Sequence, residues 1–276
     1  MQAKALLPCT GSLLIALVLP LTLSLAQGQN GASFSTEFHP APGAKTVSIV
    51  TQGTNGTDFL TQLAQQKSLR AEHRRIITEI VGFLPKGCES TLQNFTVRYD
   101  HPEHRGLAGK NTVIISGNLP LNEFRGVLVH ELLGHMVELG CLEGHQESGQ
   151  SVFRDGDEVF YNDDPSVAFY RLSWATETQR RTDAKAEDFV TGYAFRGDAF
   201  EDLAETVAFY FFQNDAFVIR ARKNPVLAQK YAWVKTHVFP QKTIPAKGTF
   251  AWNGKTIPWD ATKLPYLWSG VLAAAR

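Results

Sequence analysis

Residues 122–140 read Asn-Glu-Phe-Arg-Gly-Val-Leu-Val-His-Glu-Leu-Leu-Gly-His-Met-Val-Glu-Leu-Gly. Pro120 and Asn122 open a helix here, and Gly140 is a natural C-terminal stop. At its centre stand His130-Glu131-Leu132-Leu133-Gly134-His135, three chemically active side chains in an apolar setting. Two neutral imidazoles on one helix face, with a carboxylate beside the first as general base, are what a catalytic zinc ion requires. The usual spacing separates the imidazoles by four residues; here it is five. At about 100° per residue, a four-residue step turns ~40° around the helix and a five-residue step ~140°. An ideal α-helix therefore cannot aim both rings at one ion. A π-bulge adds one residue to the turn and restores the shared face, and Gly134 lies where the ladder must loosen. The stretch predicts a distorted helix presenting His130 and His135 to a metal, with Glu131 alongside.

Outward from this helix, Thr46–Val50, residues 95–99 and Thr112–Ser116 read as short strands, the last as the edge of a substrate cleft. Residues 57–83, 166–181, 198–213 and Pro225–His237 read as helices, the first stopped by Pro85 and Gly87. The segment 27–44 reads as a polar lead-in. The final forty residues, with prolines at 240, 245, 258 and 265, read as irregular wrapping. With no repeat, low-complexity block or linker, one α+β domain over 27–276 is the simplest organisation.

Composition excludes several classes. The 276 residues are 43% apolar, with 27 basic and 27 acidic side chains, too apolar for a disordered chain. Zero net charge lacks the basic excess that a nucleic-acid partner requires. Lys4, an apolar run over 13–25 and small residues at Ser24 and Ala26 form a secretory signal, cleaved after Ala26. The run is broken by Pro20 and falls short of the ~20 residues a membrane span needs. The expected mature protein is secreted or periplasmic and holds no membrane segment. Cys9 leaves with the signal, so Cys88 and Cys141 are expected to pair in an oxidising compartment. Asn55-Gly56-Thr57 and Asn94-Phe95-Thr96 fit the N-glycosylation acceptor pattern of a eukaryotic host.

His-Glu-Leu-Leu-Gly-His resembles the zinc motif of the dipeptidyl-peptidase III family, which shares the His-Glu-x-x-Gly-His form. That family takes its third ligand from a later Glu-Glu-x-x-Ala-Glu segment, matched here by Glu201-Asp202-Leu203-Ala204-Glu205 after Phe200. The resemblance implies Glu201 as third metal ligand and Glu205 as the outer partner of a zinc-bound imidazole. The surroundings are similar to compact secreted zinc peptidases of the gluzincin group. These carry Glu-Asp-x-Ala-Glu on a glutamate helix after a Gly-Tyr-Ala stretch like Gly192-Tyr193-Ala194. Asp164-Pro165-Ser166, Phe169-Tyr170 and Ser173-Trp174 extend the likeness across roughly 110–235. The implied fold is zincin-like: a small mixed sheet with an active-site helix and a glutamate helix. Helical spacing supports the pair, since Glu201 and Glu205 at i, i+4 share a face.

Tyr193 is the candidate oxyanion donor, with Tyr161 and His145 as rivals. Asp155, Asp157, Glu158, Asp163 and Asp164 do not fit a calcium loop and read instead as a capped turn into the next helix. His73-Arg74-Arg75 reads as the wet face of a helix. The expectation is a secreted zinc metallopeptidase, one Zn²⁺ per chain, hydrolysing a peptide or protein substrate by a zinc-activated water with Glu131 as general base. Two alternatives stand beside it. One is a catalytically inactive secreted binding module on the same fold. The other is a structural zinc with His145 or Glu138 as fourth ligand.

Overall fold

A four-stranded mixed sheet and a long central helix position the chemistry. The computed structural model describes residues 46–50, 58–100, 103–253 and 256–270. The signal, the lead-in and Asn55 lie outside them. The sheet runs β1-β2-β4-β3, from β1 (Thr46–Val50), β2 (Asn94–Arg98), β3 (Gly106–Ala108) and β4 (Thr112–Ser116). β2 pairs antiparallel with β1 and parallel with β4, in a register that sets Phe95 beside Val113 and Val97 beside Ile115, all four buried. Thr112–Ser116 is thus an interior strand. The edge belongs to the short β3, antiparallel to β4, whose three residues show none of the β-branched patterning that marks a strand. Asn94 lies within β2, its amide engaged with the Thr112 hydroxyl, so it is poorly presented as a glycan acceptor.

The predicted 57–83 helix is two helices, α1 (Phe59–Gln65) and α2 (Ala71–Val81). Asp58 caps α1 by accepting from the Thr61 N–H. Arg74 reaches back from α2 to the carbonyls of Ala64 and Gln66, satisfying the end of α1 and fixing the break. α2 buries Ile76, Ile77 and Ile80 as its pattern predicts, but also His73, which is 1% exposed rather than on a wet face. The ring stacks on Phe124 at 4.2 Å and bonds the Tyr99 hydroxyl at 2.9 Å.

Burial, reinforced by Arg70, lowers the His73 pKa from 6.5 to about 4. Between those values the unfolded chain takes up a proton that the fold refuses, so stability falls as pH drops, by roughly 3 kcal/mol once pH 4 is reached. His73→Phe, which keeps the stacking and removes the titration, is expected to flatten the denaturant-measured stability profile between pH 4 and 6.5. Equal slopes in both proteins would assign the acid sensitivity elsewhere.

The central rod is continuous: α3 (Leu121–Leu128), a π-helical stretch Val129–Met136, and α4 (Val137–Gly140). Cys141, just past its end, is disulfide-bonded to Cys88 across a sequence separation of 53. A loop of that length restricts the unfolded chain by about 4 kcal/mol in the chain-entropy account. A hairpin of β5 (Gln150–Asp155) and β6 (Glu158–Tyr161) leads into α5 (Pro165–Tyr170), capped by Asp164 through the Ser166 N–H at 2.7 Å. The predicted 166–181 helix stops at Tyr170. Beyond it the chain reverses, with Trp174 bridged to Arg180, which carries the buried Trp174 indole to Asp202 at 3.0 Å.

α6 (Gly192–Arg196) precedes α7 (Ala199–Phe212), in which every residue except Glu201 is buried. Such all-round burial is what a helix with Phe200, Leu203, Val207 and the aromatic run 209–212 requires. α8 (Asn214–Ala221) and α9 (Pro225–His237) pack behind it. In the C-terminal part, β7 (Ala246–Gly248) pairs with β8 (Tyr266–Trp268), so that region is not irregular throughout. The arrangement is α+β. Among the described residues no helix is long and apolar enough to cross a membrane.

Candidate metal centre

The π-helical turn brings His130 and His135 to one face despite their five-residue spacing. Their rings stand 5.0 Å apart with planes at 75°. α7 lies directly against this turn. A Cβ placed on Gly134 would sit 2.7 Å from the Ala204 Cα and 2.8 Å from its Cβ, so only glycine lets the two helices approach this closely. Ala204 lies between Glu201 and Glu205, and the contact sets the depth of both carboxylates. Asp198 caps α7 by accepting from the Glu201 N–H at 2.9 Å.

Glu201 Oε2 lies 3.1 Å from His130 Nε2 and 3.6 Å from His135 Nε2, and one ligand atom from each residue falls within 4.8 Å of the others. Tetrahedral zinc with ligands at 2.0–2.1 Å separates neighbouring ligand atoms by about 3.3 Å. The two distances bracket that value, and the donor set of two imidazoles and a carboxylate suits a divalent transition metal. Burial disfavours the Glu201 charge, yet hydrogen bonds with His130 and His135 hold its carboxyl well below the usual range. Burial likewise opposes protonation of His130, while Glu201 and Glu205 raise its pKa well above 6.5. The residues fit a cation: two imidazoles converge on a carboxylate that stays ionised.

Glu205 is fully buried. Its Oε1 lies 3.2 Å from His130 Nδ1, close enough to fix the ring although the pair is not aligned as a hydrogen bond. Its Oε2 accepts from the Thr191 hydroxyl at 2.6 Å and the Ala261 N–H at 2.9 Å. A carboxylate anchored by two hydrogen bonds on its far oxygen can hold one imidazole tautomer and orientation. Asp202, on another face of α7, takes a different role: it pairs with the buried Lys230 ammonium at 2.6 Å and with Trp174.

Glu131 is buried beside His130 but stands outside the three-residue group. Its carboxylate faces the edge strand, where a Cβ on Gly106 would lie 2.6 Å from Oε1. Burial raises its pKa, opposed by the neighbouring His130 and His135. Tyr193 donates to Glu201 Oε1 at 3.0 Å, and its ring is 6.4 Å from that of His130. Burial and the adjacent Glu201 push its hydroxyl up, so it stays protonated and able to donate.

The rivals lie elsewhere. His145 is exposed and tied to Asp163 at 2.8 Å, and Tyr161 sits in the β5–β6 hairpin beside Gly144. Glu138 is buried under the Tyr170 hydroxyl at 2.6 Å, where burial raises its pKa well above the carboxylate range. Neither His145 nor Glu138 joins the metal group as a fourth ligand.

Sequence reasoning missed the strap 258–262. The Pro258 and Trp259 carbonyls accept from the Gly192 and Tyr193 N–H groups, both at 2.8 Å. Asp260 pairs with Arg105, the residue before β3, at 2.6 Å, and Ala261 braces Glu205. No periodicity or motif marks these residues; their bonds to the site are mostly backbone bonds, which any side chain can supply. No protein-family model matches the chain, and no curated protein or solved structure matches it either.

Proposed function

We propose that the chain is an exported zinc metallopeptidase of zincin-like fold. The observation that carries the reading is the π-helical turn, which sets His130 and His135 against Glu201 and leaves Glu131 free beside them. His130, His135 and Glu201 would hold the ion, with Glu205 fixing the His130 ring. Zinc bound there supplies a lowered pKa for a water molecule and polarisation of a peptide carbonyl. Glu131 takes the proton from the attacking water and passes it to the leaving amine, a part suited to a buried carboxylate of raised pKa. Tyr193, whose one hydroxyl proton is donated to Glu201 in this structure, would turn that proton to the oxygen on which negative charge develops. The open edge of β3, bordering Glu131, offers backbone groups to an extended peptide. Export is supported by the Cys88–Cys141 disulfide together with the signal-like first 26 residues.

Elemental mass spectrometry of the purified protein is expected to find about one zinc per chain. Hydrolysis of a peptide library should be abolished by a chelator and restored by zinc. A folded protein that takes up no zinc after reloading would overturn the reading in favour of a binding module. Zinc without hydrolysis would leave a metal site with no peptidase.

A further inference from the structure

Trp259 stands out among the five tryptophans. Trp174 and Trp233 are buried and Trp252 and Trp268 are half-buried, whereas Trp259 is 56% exposed. Its exposure is not that of a loose loop tip. The flanking Pro258 and Asp260 are buried, and the backbone on both sides is bonded to the Gly192–Tyr193 turn. Part of the ring rests on Gly192, where an added Cβ would come within 2.8 Å of indole Cε3. The ring centroid lies 6.3 Å from that of Tyr193, whose hydroxyl bonds the ligand Glu201. A rigid aromatic surface is thus mounted one residue from the metal site with more than half of it open to solvent. Folding gains little from an indole so exposed, while a ligand meets it with little ordering cost.

We propose that Trp259 is a specificity-determining residue: a platform for a bulky apolar side chain, aromatic above all, next to the peptide bond being cut. The proposal rests on the peptidase reading and names the class of substrate for that site. Arg196, four residues along from Gly192 on α6, holds its guanidinium 5.8 Å from the indole centroid. It therefore disfavours lysine or arginine in the same subsite by like-charge repulsion.

The test uses the full zinc-loaded protein and matched peptides differing only in Phe, Ala or Lys at the positions flanking one cleavable bond. The wild type is expected to favour Phe over Ala by ~10-fold or more in kcat/KM at one of those positions. Trp259→Ala should collapse that ratio mainly by raising KM for the Phe peptide, and Trp259→Phe should restore most of it. An unchanged ratio in Trp259→Ala overturns the proposal while leaving the peptidase reading intact. If the wild type cleaves none of the peptides, the peptidase reading fails, and calorimetric binding of the same peptides decides the platform. A Phe-over-Ala affinity gap that closes in Trp259→Ala supports it, and the absence of a gap overturns it.

Discussion

Glu131→Gln is expected to keep its zinc and to lose ~10²–10⁴-fold in kcat, the range that a positioned general base supplies. The substitution preserves shape in a site where the carboxylate is buried against Gly106, so the surrounding helix and edge strand need not move. It removes the one property at issue, the capacity to accept a proton. Because Glu131 lies outside the group formed by His130, His135 and Glu201, metal content should stay near one per chain. Elemental analysis and single-turnover peptide hydrolysis on the same preparation separate the outcomes. Activity retained with zinc bound would mean that another group takes the proton. Zinc lost with activity would make Glu131 a ligand.

Gly134→Ala is the second large effect. One methyl group inserted 2.8 Å from the Ala204 Cβ and 2.7 Å from its Cα cannot be relieved by a rotamer, because the obstruction is backbone. The two helices must part, at a cost of about 1–3 kcal/mol in stability for overpacking. Both glutamates ride on the helix that is pushed away, so zinc affinity should fall by ~100-fold, comparable to losing a residue that orients a metal ligand. Competition against a chromophoric chelator, with unfolding monitored in parallel, measures both quantities. A variant with wild-type zinc affinity would show that the helix contact does not set the ligand distances.

The helix over residues 122–140 was legible because its constraint is local. The five-residue step from His130 to His135 leaves an α-helix unable to direct both rings to one ion, and the backbone of Val129–Met136 is π-helical accordingly. The burial of α7 was legible in its aromatic run, and Asp164 in its position before a proline and a serine. What escaped was decided by distant partners. The 57–83 pattern stays periodic across the break that Arg74 stabilises from the next helix. His73 carries a polar label but fills a slot between Phe124 and Tyr99. The edge strand is three residues of Gly, Leu and Ala that pair only because β4 is beside them. The family resemblance implied Glu205 as partner of a metal-bound imidazole, and helical spacing put it on the face of Glu201, but its partners Thr191 and Ala261 come from segments with no pattern of their own.

The strap also dictates when the site becomes whole as the chain is made. Ala261 is synthesised 56 residues after Glu205, and Asp260 155 residues after Arg105. A nascent chain can therefore carry His130, His135 and Glu201 while Glu205, the Tyr193 turn and the approach to β3 still lack their braces. Contacts across such separations form late and slowly. The centre should thus be the last part of the molecule to stiffen, so that a partly made chain carries the chemistry without the geometry to use it.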